Sequence, residues 1–526
     1  MTIPAWQALL LTILAIVSVR ARFVGWLYLL QLDEYQPARL YRTALRRLRS
    51  NWRWQLLLAV AALALAVAAA WPGDSTRVFY LLLAALLPWG TNRPFSKRGT
   101  LRWTPRARRL ALAAAALSAL VLFFSLWSGW PGAVVIGVID PVLVILLALA
   151  VALLAPDQRR RRNLFMGQAE RRIMEFGPLV VGITGSYGKT TTKLFLQQLL
   201  DSPEAPCFAT PESFNTTLGV CRAINEGLRA EHRFAVLEMG AYRKGEIAEI
   251  CAFTHPQVGI VTAVGVMHLE RFGSQEKIAE AKSELLAALP ETGMAVIPGD
   301  VNARELLTAP LRARPVWVGR PGDRWWAEEI VASPEATLLR LRGSAGEDLQ
   351  VAVPVHGEPI VTDLLCAWAT ASELGIDTET LIDRAARIRG APHRLQVSQV
   401  NGLTIIDDAY NSNPDGAAAA LRLLASLPGR RRVLVTPGFI ELGPLQERSM
   451  RELGRQAAGV CSHVILVGPI QSAAVAAGLA EAGYPSSKLT VAVDLAEAQR
   501  RLPKVAGADS VVLFENDLPD SFLEPA

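Results

Sequence analysis

Residues 179–200 read LVVGITGSYGKTTTKLFLQQLL. An apolar, β-branched run, a turn carrying two glycines and a helical pattern follow one another without a break, the order strand, loop, helix. A strand that passes straight into a helix meets its next partner only after a crossover, so that partner is parallel to it. The alternation continues with "RFAVLEM", "VGIVTAV" and "GMAVIP", and with helical stretches such as "SQEKIAEAKSELLAAL". This rhythm predicts an α/β fold, a parallel sheet covered by helices on both faces. Three short runs, "PVWVGR", "TLLRLRG" and "LQVAVPV", predict antiparallel strands near residues 315–355. After "RGAPHRLQ" the pattern restarts with "LTIIDDAY", "RVLVTPG", "HVILVG" and "SVVLFEN", predicting a second, Rossmann-like α/β domain.

The first 158 residues differ in kind. They hold five apolar runs, at residues 5–19, 55–71, 78–89, 110–127 and 133–155. A membrane span needs about 20 apolar residues, so the last two predict spans and the second and third a hairpin around "PGDSTR". Residues 1–162 carry 20 Lys and Arg against 5 Asp and Glu, leaving 34 basic and 43 acidic residues beyond. Basic loops alternate with loops nearly free of charge, which predicts a multi-pass protein of the inner (cytoplasmic) membrane with its C-terminal body in the cytoplasm. Asp140, in the fifth run, becomes either an intramembrane carboxylate or an interfacial one. The sequence pI of 9.2 says nothing of nucleic acid, because the body is acidic. Five cysteines without a CxxC pair argue against a disulfide framework or structural zinc. The expected organisation is a transmembrane region of about five helices at 1–158, a central α/β domain at 159–390 and a C-terminal α/β domain at 391–526.

The loop chemistry is specific. A strict phosphate loop has the form G-x-x-x-x-G-K-[ST], and here Ile183 takes the place of the first glycine. "TGSYGKTT" keeps Gly185, Ser186, Gly188, Lys189, Thr190 and Thr191. Backbone N–H groups at the helix start would hold phosphate, Lys189 would neutralise its charge, and the Thr190 hydroxyl would ligate Mg²⁺. Glu238 ends a strand and would point into the same crevice, either as a metal carboxylate or as a plain strand-end salt bridge. By spacing alone, His268 reads as structural and Lys282 as a solvated helix lysine.

The ordered set "GITGSYGKTTTK", "TPESFNTTLGV", "VLEMGAYRKGEIAEI", "VGVMHLERFGSQEKIAEAKSELL", "IDDAYNSNPDG" and "IELG" resembles the Mur ligases, most of all the branch that adds D-alanyl-D-alanine to a muramyl tripeptide. The resemblance covers roughly residues 178–526. It implies ATP-dependent amide formation through an acyl phosphate, with two Mg²⁺ ions, a cell-wall precursor as carboxylate acceptor and an amino acid or dipeptide as donor. It further implies that Lys189, Glu238, His268 and Lys282 serve catalysis, that Thr190, Glu238 and His268 ligate metal, and that Lys282 is carbamylated. Asn215 and Thr216 would lie before the substrate site, while Arg394 and Asp408 would meet ATP from the C-terminal domain. The pattern departs from the family at Pro298, at Glu358, Pro359 and Thr362, and at "FENDLPD" in place of a Lys-Gly-Ser motif. The membrane region stands where relatives grip a UDP-sugar, which leaves open whether the acceptor is UDP-linked or lipid-linked and presented at the membrane face. A polymer ligase of the poly-γ-glutamate type, or a membrane protein that binds nucleotide without forming bonds, remains open at this point.

Overall fold

The computed structural model describes residues 22–31, 35–37, 40–41, 44–45, 101–127 and 139–516, apart from 213, 267–268, 333–335, 401, 411 and 441. It divides into two compact units, residues 1–161 and 162–526. In the first unit, helix α1 runs Pro105–Trp127 and helix α2 runs Ile139–Phe176, passing into the second unit. Trp26, Leu27, Leu30, Leu110, Ala114, Leu143 and Leu147 bury one another there.

The expectation of a transmembrane region, and with it the multi-pass inner-membrane placement, is corrected here. Among the described residues no helix is long and apolar enough to cross a membrane. The apolar part of α2 stops at Ala155, before Pro156, Asp157 and the run Arg159 to Arg162. From Val142 to Ala155 that is about 21 Å at 1.5 Å per residue, short of a hydrocarbon core of about 30 Å. Helix α1 opens with Arg106, Arg108 and Arg109 in its first turns. The runs at 5–19, 55–71 and 78–89, and residues 133–138 of the fifth run, lie outside the described residues. Asp140 falls at the start of α2, and its intramembrane reading goes with the span.

The second unit is built on two sheets. Its first has nine strands: β1 (Leu179–Thr184), β2 (Cys207–Ala209), β3 (Phe234–Glu238), β4 (Val258–Val261), β5 (Met294–Pro298), β6 (Arg314–Val318), β7 (Trp325–Ala332), β8 (Thr337–Gly343) and β9 (Asp348–Val353). Their spatial order is β2-β3-β1-β4-β5-β6-β7-β8-β9. The pairs from β2 to β6 are parallel, and β7, β8 and β9 form an antiparallel meander. Thus "PVWVGR" is the last major parallel strand rather than an antiparallel one, and "WWAEEIVA" supplies the strand that sequence reading left out. β1 is buried from Val180 to Thr184, as a strand covered on both faces must be.

Between these strands lie α3 (Lys189–Leu200), α4 (Thr217–Gly227) and α5 (Gln275–Ala288), and α6 (Glu358–Glu373) follows β9. Phe195, Leu196, Leu199 and Leu200 of α3 and Leu364, Leu365 and Trp368 of α6 join one core. Ser274 caps α5, its side chain accepting from the Lys277 N–H.

The second sheet comprises β10 (Gln396–Val400), β11 (Leu403–Asp408), β12 (Arg431–Thr436), β13 (His463–Val467), β14 (Leu489–Ala492) and β15 (Ser510–Glu515), in the order β10-β11-β15-β12-β13-β14. Only β10 is antiparallel. Helix α7 (Pro414–Ser426) follows β11, with Asn413 as its N-cap and Pro414 in its first turn. Gln198 at the end of α3 exchanges hydrogen bonds with the Arg389 backbone at 2.8 and 3.0 Å, tying the first lobe to the segment that enters the second.

Candidate active site

Because β3, β1 and β4 are neighbours and parallel, their carboxyl ends deliver three things to one edge: Glu238, the loop 185–188 and the loop 262–265. Gly188 sits at φ +83°, and a Cβ there would collide with Asp363 Oδ1. A Cβ on Gly185 would strike Thr262 Oγ1. Both glycines let backbone approach where no side chain fits. Ser186, named from sequence as a nucleotide contact, braces the loop: its hydroxyl accepts from Gly265 N at 2.9 Å. Thr191 lines the cavity described below.

Lys189 folds back over its own loop, its Nζ donating to Gly185 O at 2.7 Å and Ser186 O at 3.2 Å. Burial, opposed by Glu238, depresses its ammonium below the ordinary range. Glu238 is only 1% exposed. Its Oε2 accepts from Thr190 Oγ1 at 2.9 Å and from Lys193 Nζ at 3.3 Å, and its Oε1 accepts from Asn215 Nδ2 at 2.9 Å. Burial works against its charge, yet Lys193, Lys189 and these hydrogen bonds outweigh burial and hold the carboxyl below its ordinary value. Asn215 therefore belongs to the phosphate-loop cluster. Thr216 caps α4, its hydroxyl accepting from Gly219 N at 3.2 Å.

Lys282 departs from the solvated lysine that its spacing suggests. It is 4% exposed, and burial together with the nearby Lys189 pushes it down to about 7. It lines a small cavity of about 40 Å³ with Gly185, Ser186, Lys189, Asn215 and Tyr242. His268 lies outside the described residues. Among the described residues, no group of three or more His, Cys, Asp or Glu gathers as a metal cluster. Thr190 and Glu238 nonetheless supply hard oxygen donors, a set that suits Mg²⁺, which makes do with one or two carboxylates plus phosphate oxygens.

A larger cavity of about 240 Å³ opens between the two lobes, lined among others by Gly188, Asp300, Pro359, Asp363, Arg394 and Asp408. Arg394 reaches it from the second lobe, its Nη2 lying 3.5 Å from Thr190 Oγ1 and its guanidinium stacking 4.6 Å above the Tyr410 ring. Tyr187 of the loop donates to Asp415 of α7 at 3.2 Å. Asp408 takes the Leu395 N–H at 3.2 Å and pairs in register with Glu515 on β15. Burial raises both carboxyls, Asp408 to about 6 and Glu515 well above its usual value.

Sequence reasoning missed Lys193 and Asp363. The spacing of Lys193, one helical turn after Lys189, was the available signal. Asp363 has none: its role depends on α6 packing beside the loop, where Thr192 Oγ1 donates to Asp363 Oδ1 at 3.2 Å. Burial lifts that carboxyl to about 8.

Residues 183–371 match the Mur ligase middle domain, and residues 393–515 match the Mur ligase, glutamate ligase domain. A UDP-N-acetylmuramoyl-tripeptide–D-alanyl-D-alanine ligase of Mycobacterium tuberculosis is 37% identical over 310 residues, 56% of this chain and 59% of that protein. The Escherichia coli protein of the same name is 30% identical over 331 residues, covering 61% of this chain and 72% of its own. The MurF ligase of Thermotoga maritima, solved in complex with ADP, superposes with a TM-score of 0.59 at 25% identity, covering 68% of this chain and 80% of that one. The chain thus spans about 59–62% of the length of the mycobacterial relatives it matches.

Proposed function

This chain belongs to the Mur ligase family, and we propose that it joins a carboxylate acceptor to an amine donor in an amide bond, driven by ATP cleavage. The relatives' names point to UDP-N-acetylmuramoyl-tripeptide as acceptor and D-alanyl-D-alanine as donor, a step in cell-wall peptidoglycan precursor synthesis. The observation that carries the reading is the convergence of Lys189, Thr190 and Glu238 with Arg394 from the opposite lobe. In this reading residues 159–390 hold ATP and residues 391–526 close over it.

A carboxylate is a poor electrophile, so its oxygen first attacks the γ-phosphorus and ADP leaves. Lys189 would exchange its two loop carbonyls for β- and γ-phosphate oxygens, and the free N–H groups at the start of α3 would hold the phosphates. Arg394 would add positive charge beside Thr190 as the lobes close. Thr190 and Glu238 would hold Mg²⁺, with His268 assigned to a second ion from the sequence alone; such ions neutralise charge developing on the transferring phosphoryl group. The donor amine then attacks the acyl carbon and phosphate departs. Lobe closure keeps water from the acyl phosphate.

Lys282 fits a carbamate. An amine with its pKa near 7 is partly neutral at physiological pH, and only the neutral amine adds to CO₂. The carbamate would place a negative charge beside Lys189.

A coupled assay tests the reading. Purified protein should release phosphate from ATP only when UDP-N-acetylmuramoyl-tripeptide and D-alanyl-D-alanine are both supplied. Phosphate release with neither present, or amide formation with glutamate in place of the dipeptide, would defeat it.

A further inference from the structure

Lys193 differs from its neighbour Lys189 in one respect: it has nowhere to go. Both ammonium groups flank Glu238, but Lys189 is tethered only to carbonyls of its own loop. Lys193 is 0% exposed, pairs with Glu238 Oε2 at 3.3 Å and donates a short hydrogen bond to the Glu212 carbonyl. It lies one turn further along α3, inside the core rather than at the loop.

The carboxylate it faces is fully engaged. Oε2 accepts from both Thr190 and Lys193, and Oε1 accepts from Asn215. A cation entering here needs lone pairs on both Glu238 and Thr190, and the Thr190 hydroxyl proton points at Glu238. The charges argue the same way. Lys193 offsets Glu238, and Lys189 offsets the carbamate proposed at Lys282, so the cluster carries no net negative charge. A divalent ion gains little from such a cluster until phosphates bring negative charge of their own.

We propose that Lys193 is a fixed counter-cation for Glu238 that makes divalent-metal binding conditional on nucleotide, so that the ion enters as the metal–nucleotide complex. The proposal rests on the reading of Thr190 and Glu238 as metal ligands. Lys193 acts through Glu238 and is a positioning residue. It also explains how Glu238 stays in place when Lys189 turns toward phosphate: the second ammonium remains.

Mn²⁺ binding, followed by electron paramagnetic resonance on the full chain, tests this apart from turnover. Wild-type protein should bind Mn²⁺ alone at least about tenfold more weakly than it binds Mn²⁺ with ADP. Lys193→Met should tighten binding of Mn²⁺ alone by at least about tenfold, while Lys193→Arg, which keeps the charge, should stay near wild type. Equal Mn²⁺ binding by wild-type protein with and without ADP overturns the proposal, and this arm needs no variant to fold. So does a folded Lys193→Met protein whose Mn²⁺ affinity is unchanged. Failure of the underlying ligand assignment looks different: Glu238→Gln would then leave binding of Mn²⁺ with ADP intact, and the proposal would fall with it.

Discussion

Replacing Lys282 with methionine should stabilise the folded chain while abolishing turnover, and the size of the gain should depend on pH in a defined way. In the fold the Lys282 amine is pushed from its ordinary 10.5 to about 7, first by burial and then by Lys189. Between those values the folded chain has shed a proton that the unfolded chain keeps. Unfolding therefore takes up a proton, and stability climbs as pH rises through that window. Below pH 7 both states are protonated and the full penalty stands. Each pH unit of separation is worth about 1.4 kcal/mol, which puts the penalty on the order of 4–5 kcal/mol at neutral pH. Methionine fills similar volume without the charge. In CO₂-free buffer, urea midpoints should then favour Lys282→Met by several kcal/mol at pH 7, and by about 2–3 kcal/mol less at pH 9. Bicarbonate should raise the stability of wild-type protein and leave the variant unmoved, because only the lysine can form a carbamate. Wild-type and variant stabilities that stay parallel from pH 7 to pH 9 would refute the buried-amine argument. Full turnover by Lys282→Met would refute its place in catalysis.

Gly188→Ala forces a Cβ against Asp363 in a left-handed turn, and calorimetry should show nucleotide affinity falling by at least about tenfold, with a cost of roughly 1–3 kcal/mol in stability. Asp363 is lifted from 3.8 to about 8, so its protonated form favours the fold at low pH and that support disappears as pH rises through this interval. Asp363→Asn should accordingly be more stable than wild type at pH 8 and indistinguishable at pH 4, as thermal melts would record. Arg394→Ala removes the one described contact from the second lobe to Thr190, and steady-state kinetics should show kcat falling about a hundredfold or more with a smaller change in the KM for ATP.

The phosphate-loop region was legible because its signals are local. "LVVGIT" became β1 and "KTTTKLFLQQLL" became α3 to the residue, since burial on both faces and the glycine stop are written into consecutive positions. Glu238 was legible from its place at a strand end. Lys282 could be placed only by resemblance, because its burial is set by packing of α5 and not by its spacing. Lys193, Asp363 and Glu515 depend on which strands and helices become neighbours, and no short window contains that. β7 was missed because a charged pair, Glu328 and Glu329, interrupts its apolar pattern at an irregular step in the meander. The N-terminal runs misled for a different reason: hydropathy reports a preference for apolar surroundings, and in the described part Leu110, Ala114, Leu143 and Leu147 find them against one another, while Leu112, Ile145, Leu149 and Leu153 stay exposed.

Lys189 rests on the carbonyls of Gly185 and Ser186, so on the proposed reading the ammonium meant for the γ-phosphate is already engaged within the loop. A newcomer must outbid two peptide oxygens for that ammonium. An uncharged nucleoside, however well its base fits, leaves the lysine where it is, whereas a triphosphate tail draws it out. Inhibitors that mimic only the base and sugar should consequently meet a loop that has not opened for them.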